Sequence, residues 1–268
     1  MKELEKKIEK HISEAGGTWG IYIENLTKKE TWSHLPDEVF PAASIIKIPI
    51  MMAAFEAHHQ GKFSMEDTLP LRAEELVGGA GVFQHMTPGT LVTVYDTIML
   101  MMIQSDNTAT NMIIDLVGKE NIQKTMTSIG LKDSTFYNKL MTVPCEREGP
   151  NEITARDVNT MLKTIATGSY TSVYACEHMI DIMKRQQDDS RLPARLPRSS
   201  SGVIGALDTW NLAHKTGSIS GVVHDAGILY VQNQEVLITV LSKNVDDYFG
   251  QSTIATIGKD LFEALTSQ

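Results

Sequence analysis

Three short motifs stand in a fixed order along the chain: Ser44-Ile45-Ile46-Lys47, Ser105-Asp106-Asn107 and Lys215-Thr216-Gly217. Together they bring hydroxyl groups, amines and a carboxamide, which are the groups needed for acyl transfer through a serine. Each motif alone is a weak signal, because its residue types are common. The ordered set is much more specific, and it predicts a covalent acyl-serine reaction.

Ser44 and Lys47 are three positions apart, so on a helix their side chains lie on one face and can meet. A serine hydroxyl is a poor nucleophile without a base. Lysine can be that base only where burial or a nearby cation lowers its pKa. The apolar residues on both sides of Ser44 favour a buried helix start. We therefore predict Ser44 as the nucleophile and Lys47 as its base, with an ordinary helix start as the alternative.

The triplet Ser105-Asp106-Asn107 falls between two helical patterns. Ser105 can pass a proton to a leaving group, and Asn107 can offer its amide to the substrate and to Lys47. Asp106 is expected to hold the turn through local backbone hydrogen bonds. The alternative for the triplet is a helix N-cap, because all three residue types suit that position.

The triplet Lys215-Thr216-Gly217 ends a strand pattern. Lys215 can supply positive charge for a substrate carboxylate and for the pKa of the lysine base, and Thr216 can hydrogen-bond the same carboxylate. Gly217 permits close approach of the substrate to the backbone. The amide of Ser218 is expected to pair with that of Ser44 as an oxyanion hole. The alternative is a strand that runs into a glycine turn.

Strand patterns occupy both ends of the chain and helical patterns its middle. Helices are predicted at 4–12, 44–59, 91–104, 108–117, 121–128, 155–167, 172–185 and 254–265, and strands at 18–24, 30–34, 212–216, 221–231 and 235–242. The predicted fold class is α+β, an α/β/α sandwich with an antiparallel sheet built from both termini, plus an inserted all-α lobe. Residues 1–38 and 203–268 would form the α/β lobe and residues 39–202 the helical lobe, with the site at their seam.

The composition of the chain argues against some classes of binding partner. The 268 residues are 42% hydrophobic and 21% charged, as in ordinary globular proteins, and the net charge of -9 argues against binding to nucleic acid or anionic membranes. No apolar run approaches the roughly 20 residues that span a bilayer. The N-terminus shows no apolar signal core, so the chain as written is expected in the cytoplasm, or outside it if a signal has been removed.

Neither the histidines nor the cysteines show metal-ligand spacing, so we predict no metal and no cofactor. Cys145 and Cys176 are expected to be two unpaired thiols, with one disulfide as the alternative. We expect a monomer that acts on a small-molecule substrate.

Beyond the three motifs, the whole chain resembles the class A β-lactamase family and its penicillin-recognising relatives. Phe40-Pro41-Ala42-Ala43-Ser44 is similar to the family's approach to its nucleophile, and Thr154-Ala155-Arg156-Asp157 resembles the segment after its Ω-shaped loop. His224-Asp225-Ala226-Gly227 resembles the strand that follows K-T-G. The resemblance implies the β-lactamase/penicillin-binding-protein-like fold, an acyl-serine route and no metal.

The chain departs from the family in two places. The family's β-lactamases carry a loop glutamate, spaced E-x-x-x-N, that activates the deacylating water; register by resemblance puts it near 140–142, where no residue is acidic. Glu146 is our prediction for that role, with Glu148 or a missing glutamate as alternatives. Where many members place an arginine that grips the substrate carboxylate, this chain has His224. Lys215 and Thr216 would then be the main residues that bind the substrate carboxylate. His224 would either help them in the site or be packed elsewhere as a structural residue.

Three functions remain open. The first is a serine β-lactamase that opens the lactam ring through an acyl-enzyme on Ser44. The second is a D-alanyl-D-alanine peptidase or an esterase on the same fold, and the third is a penicillin-binding or sensor module that acylates without turnover. All three need fast acylation, and they differ at deacylation. We rank the β-lactamase first because the resemblance covers the whole chain.

Overall fold

The computed structural model describes residues 2–140, 149–199 and 208–267. The helices of these residues are α1 (Lys2–Ala15), α2 (Lys47–His59), α3 (Val94–Ile103), α4 (Asn107–Val117), α5 (Lys119–Ser128), α6 (Ala155–Ala166), α7 (Val173–Met183) and α8 (Asp247–Thr266). The strands are β1 (Thr18–Asn25), β2 (Glu30–His34), β3 (Val39–Pro41), β4 (Thr68–Pro70), β5 (Leu91–Thr93), β6 (Glu152–Thr154), β7 (Trp210–Ile219), β8 (Val222–Val231) and β9 (Gln234–Lys243).

A five-stranded antiparallel sheet joins the two ends of the chain. Its strand order is β2-β1-β9-β8-β7. The N-terminal part enters the sheet through β1, which pairs with β9 from Thr18 opposite Lys243 to Asn25 opposite Val236. The predicted α+β class, with a sheet built from both termini, is confirmed.

Both faces of the sheet are covered. Side chains alternate between the faces of a strand, so neighbours in β9 serve different cores. Ile238 packs with Ile8 of α1 and Leu261 of α8, whereas Leu237 packs with the helices of the central part of the chain. This double burial explains why β8 is buried along nearly its whole length instead of alternating with polar residues.

Helix α2 lies at the centre of the helical part. It packs against α4 and α5, and ten of its residues are buried. A helix that is apolar around its whole circumference belongs in the interior of a large core. Its first residue is Lys47, so the position of this helix puts an amine where an apolar side chain would be expected.

The structure corrects the expected helical lobe in two details. Leu91–Thr93 do not begin a helix as predicted; they form β5, which pairs with β4, and the Thr93 hydroxyl caps α3 by accepting the Asp96 amide at 3.0 Å. A second ribbon pairs β3 with β6. The segment 39–202 therefore contains short strands as well as helices. The lobe boundaries themselves stay a prediction.

Two further expectations concern membranes and cysteines. No helix within the described ranges is long and apolar enough to cross a bilayer. Cys176 is a buried free thiol whose Sγ donates to the carbonyl of Tyr170, and burial raises its pKa. Cys145 lies outside the described residues.

Gly258 provides a test of the packing between α8 and the segment that leads to β7. A Cβ at Gly258 would stand 2.2 Å from the backbone carbonyl oxygen of Leu192, which no side-chain movement can relieve. We expect Gly258→Ala to lower the free energy of unfolding by about 1–3 kcal/mol through overpacking, although alanine favours a helix by roughly 1 kcal/mol. Urea denaturation measures the change.

The matched control is Gly78→Ala. A Cβ at Gly78 meets open space, so this variant should differ from the parent by less than about 0.5 kcal/mol. Equal stability of the two variants would contradict the close contact at Gly258.

Candidate active site

The three motifs meet between the sheet and the helical part. Ser44 lies in a short 3-10 helix, Ala43–Ile46, that runs directly into α2. Ser105 lies in the turn between α3 and α4, and Lys215 lies in β7. The first two motifs occupy the elements that the sequence predicted for them, a helix start and a turn between helices. Lys215-Thr216-Gly217 lies in a strand as predicted but does not end it, because β7 continues to Ile219.

The Lys47 amine connects the first two motifs. Its Nζ stands 2.9 Å from Ser44 Oγ, 2.9 Å from Ser105 Oγ, 2.7 Å from the Ser105 carbonyl oxygen and 3.0 Å from Asn107 Oδ1. The Ser105 carbonyl oxygen and Asn107 Oδ1 can only accept hydrogen bonds, so they accept the two N–H groups of the amine when it is neutral. The lone pair of Lys47 Nζ then faces the two hydroxyls, and it can take a proton from either serine.

Burial lowers the pKa of Lys47 well below its ordinary value, and the positive charge of Lys215 lowers it further. The carboxylate of Asp106 acts in the opposite direction but does not outweigh them. The side chain of Lys47 is fully buried. The condition under which a lysine can act as a base is therefore met in the structure.

Lys215 joins the same network from the sheet. Its Nζ donates to Ser105 Oγ at 3.1 Å and to the Thr216 carbonyl oxygen at 2.8 Å. Burial lowers the pKa of Lys215 to about 7, with a further contribution from the charge of Arg191 and an opposing one from Asp225. Lys215 therefore loses its charge within the physiological pH range.

Gly217 lets β7 lie directly against the helix that carries Ser44. A Cβ at Gly217 would stand 3.1 Å from the amide nitrogen of Ser44 and 3.2 Å from that of Ile45. Thr216, Gly217 and Ser218 line a cleft of about 300 Å³ together with Ser44. The residues predicted for an oxyanion hole, Ser44 and Ser218, thus share one cleft.

Two non-glycine residues of the site have left-handed backbone conformations. Ala43, which precedes Ser44, has φ 43°, and Ser105 has φ 54°. Such conformations cost about 1–3 kcal/mol each and persist only where the surroundings impose them. At both places the backbone is bent so that a serine hydroxyl reaches Lys47.

Asp106 fixes the turn around Ser105. Its carboxylate accepts the amides of Val82 at 2.6 Å, Phe83 at 2.8 Å and Ala109 at 2.9 Å. The last bond is the N-cap of α4, as one reading of the triplet predicted. The other two reach a distant loop, where a Cβ at Gly81 would stand 2.3 Å from Asp106. Asp106 thus holds the cleft wall at residue 80 as well as its own turn.

The predicted water-activating residue, Glu146, and its alternative, Glu148, lie outside the described residues. The chain on either side is anchored near Ser44. Asn111 exchanges two hydrogen bonds of 2.8 Å with the backbone of Leu140, and the backbone carbonyl of Asn151 accepts the amide of Ala42 at 2.9 Å. Leu140 and Asn151 line a second part of the cleft beside Ser44.

His224 does not line the cleft, so the prediction that it helps to hold a substrate carboxylate is wrong, and the alternative of a packed histidine is confirmed. The ring is fully buried, and the amide of Ser242 donates to Nδ1 at 3.1 Å. Nε2 therefore carries the proton and donates to the Pro41 carbonyl oxygen at 2.8 Å. Burial lowers the pKa of His224 to about 4, so the ring stays neutral. Its place is structural, under the strand that leads to Ser44.

Sequence reasoning missed Arg191. Its side chain is 3% exposed, pairs with Asp188, and lies close enough to Lys215 to lower the pKa of that amine. Its Nε has no hydrogen-bond partner among the described residues. The sequence around it is polar and without periodicity, so nothing in the pattern distinguishes this arginine from a surface residue. No group of three or more His, Cys, Asp and Glu side chains in the described ranges could hold a metal ion.

Known proteins with similar chains share this architecture. A β-lactamase from Sphaerobacter thermophilus superposes with a TM-score of 0.89 at 29% identity, covering 99% of this chain and 97% of that one. The protein PBP-A superposes with a TM-score of 0.87 at 30% identity, covering 100% and 97%. Beta-lactamase VEB-1 of Pseudomonas aeruginosa is 22% identical over 254 residues, which are 87% of this chain and 80% of that protein.

A family model also matches nearly the whole chain. The model of the beta-lactamase enzyme family matches residues 3–265, which include all three motifs and both parts of the sheet. The agreement in fold with the structures above covers the same length. This chain therefore belongs to the beta-lactamase enzyme family.

Proposed function

We propose that this protein is a serine hydrolase that opens β-lactam rings through an acyl-enzyme on Ser44. The observation that carries the proposal is the buried amine of Lys47, held within 3 Å of the hydroxyls of both Ser44 and Ser105. A neutral amine between two hydroxyls can accept a proton from the attacking serine and return it through the other. Membership of the beta-lactamase enzyme family supports the same chemistry.

In the proposed acylation, Ser44 Oγ attacks the lactam carbonyl carbon while Lys47 takes the hydroxyl proton. The amides of Ser44 and Ser218 stabilise the oxyanion. The C–N bond then breaks, Ser105 gives its proton to the leaving nitrogen, and the proton on Lys47 restores the Ser105 hydroxyl. Every proton is accounted for, and Lys47 is neutral again when the acyl-enzyme has formed.

Lys215 contributes in two ways. Its charge helps to keep Lys47 neutral, and its hydrogen bond to Ser105 Oγ orients the hydroxyl that gives up a proton. Asn107 holds Lys47 from the other side through its Oδ1 while its Nδ2 donates to the Gly78 carbonyl oxygen at 3.1 Å. Thr216 and Gly217 line the cleft beside Ser44, where a substrate carboxylate or amide can lie against β7.

Deacylation decides between turnover and a stable adduct. Glu146 remains our sequence-based choice for activating the water, since Leu140 and Pro150, which stand on either side of it in the sequence, line the cleft beside Ser44. The second candidate function is a penicillin-binding protein that deacylates slowly. The likeness to PBP-A favours it, because a mutant of PBP-A was solved as an acyl-enzyme complex with penicillin G.

A chromogenic β-lactam assay combined with intact-mass measurement tests the proposal. We expect steady turnover by the parent chain and none above background for Ser44→Ala, which lacks the attacking hydroxyl. Mass spectrometry should show an adduct of one opened lactam on the parent, and none on Ser44→Ala. A stable adduct without turnover would replace the lactamase by the penicillin-binding alternative. Turnover that survives Ser44→Ala would exclude the acyl-serine route.

The pH dependence of acylation tests the two lysines. Lys47 must be neutral, so the acylation rate should rise with pH through its lowered pKa. Lys215 must be charged, so the rate should fall as pH rises past about 7. Because Lys47 and Lys215 influence each other's charge, the rising and falling limbs of the pH profile describe the pair of lysines together. Lys215→Arg keeps the charge at all working pH values and should remove the falling limb.

Stopped-flow acylation from pH 5 to pH 9 gives both profiles. Lys163→Arg serves as the control, because this lysine pairs with Glu24 away from the cleft and its replacement should leave the profile unchanged. A falling limb that is the same in Lys215→Arg as in the parent would show that Lys215 does not cause it.

A further inference from the structure

Two glutamine side chains meet at one end of the cleft. Gln104 directly follows α3, and Gln187 lies between α7 and β7. Gln104 Nε2 donates a hydrogen bond to Gln187 Oε1, and both residues line the first part of the cleft, whose volume is about 300 Å³. We call this hydrogen bond the carboxamide bridge. It joins the helical wall of the cleft to the segment that leads into the sheet.

The backbone beneath the carboxamide bridge is fixed. The amide of Gln187 donates to the Ile103 carbonyl oxygen at 3.2 Å. Gln186 is buried, and its Nε2 donates to the Met102 carbonyl oxygen at 3.1 Å. Its Oε1 accepts the amides of Gln187 at 3.0 Å and Asp188 at 3.2 Å. The segment is therefore held against the end of α3, and the cleft can widen at this end only by separation of the two side chains of the bridge.

The carboxamide bridge lies on the side of the leaving group. In a penicillin or a cephalosporin, the carbon that carries the carboxylate is bonded to the ring nitrogen that leaves. The proposed acylation brings that nitrogen to Ser105 and lets the carboxylate lie against β7 at Lys215 and Thr216. Ser105, Thr216 and the two glutamines of the bridge line the first part of the cleft and not the second. A substituent next to the carboxylate therefore extends towards the bridge.

We infer that the carboxamide bridge makes this enzyme prefer acyl donors with a small substituent next to the carboxylate over donors with a bulky one there. The inference rests on the proposed acyl-serine function and concerns its substrate class. A bulky substituent fits only when the two glutamine side chains separate. The preference is therefore limited by the cost of breaking one neutral hydrogen bond, which is a factor of about two to ten in a rate constant.

A test of size requires substrates with equal charges, because Asp188 lines the first part of the cleft and Lys139 the second. Cefadroxil and cefprozil meet this requirement. They share the p-hydroxyphenylglycyl acyl group and the ring carboxylate. On the ring carbon next to the one that carries the carboxylate, cefadroxil has a methyl group and cefprozil a propenyl group. Both charged residues act alike on the two compounds, so a difference between them reports size.

The measured quantity is kcat/KM of the full chain for each cephalosporin, which covers the steps up to acylation. Ser44 Oγ bonds to the lactam carbonyl carbon, the C–N bond breaks, and the ring nitrogen takes its proton from Ser105. Where the acyl-enzyme persists, the second-order rate constant of adduct formation, followed by intact mass, replaces kcat/KM. Each value is divided by the rate constant for hydrolysis of the compound by hydroxide, so that differences in intrinsic reactivity cancel.

We expect the parent chain to prefer cefadroxil by about two- to tenfold. Gln187→Ala removes the bridge and keeps the backbone hydrogen bonds, so it should raise the value for cefprozil, leave that for cefadroxil nearly unchanged and abolish the preference. Gln187→Glu keeps an oxygen that accepts from Gln104 and should keep the preference. Gln60→Ala is the matched control, because this glutamine follows α2 at the end opposite Lys47 and donates to Glu56 at 2.7 Å.

Four results would overturn the inference while the acyl-serine function stands. They are equal values for the two cephalosporins in the parent chain, an unchanged preference in Gln187→Ala, loss of the preference in Gln187→Glu, and the same loss in Gln60→Ala. Reaction with a penicillin but with neither cephalosporin, in the parent and in Gln187→Ala alike, would place the limit on size elsewhere and would also overturn it. A chain that reacts with no β-lactam at all would overturn the proposed function, and the inference with it.

Discussion

The burial of one amine is the constraint on which this site depends. Lys47 begins a helix whose next eight residues, Ile48 to Phe55, are apolar and buried, and it lies in the interior with them. Burial lowers the pKa of Lys47, so the folded chain releases this proton at a lower pH than the unfolded chain does. The contribution of Lys47 to stability therefore rises with pH between its lowered pKa and the ordinary pKa of lysine. The same burial favours the neutral amine, which is the form that can accept a proton from a serine hydroxyl.

Several elements are arranged to satisfy that amine. The left-handed backbone of Ser105 turns both its carbonyl and its hydroxyl towards Lys47, and Asp106 holds the turn with three amide hydrogen bonds. On the other side, Gly217 allows β7 to approach the helix start so that Lys215 reaches Ser105. A strained backbone, a buried carboxylate and a glycine thus serve one geometric purpose, which is the contact of two hydroxyls with one nitrogen.

The sequence predicted the parts of the structure that depend on local pattern. The motifs, the strands at both ends and most helices follow from spacing and periodicity. Features that depend on distant neighbours could not be predicted in this way. The pattern of Leu91–Thr93 is typical of a helix start, but pairing with β4 makes these residues a strand. The sequence left His224 free to face a substrate, but its two ring nitrogens are hydrogen-bonded to the amide of Ser242 and the carbonyl of Pro41. Arg191 is the clearest case, because only tertiary burial distinguishes it from a surface arginine.

The pairing of β1 with β9 has a consequence for how the chain folds. The two strands are separated by almost the whole sequence, so closing them costs the entropy of a very long loop. During synthesis β1 leaves the ribosome early, with only β2 to pair with, and its other edge stays open until β9 has been made. The core around α2 has no such dependence on the C-terminus for most of its contacts. Folding of this protein should therefore begin with the helices and finish slowly, when the ends of the chain meet.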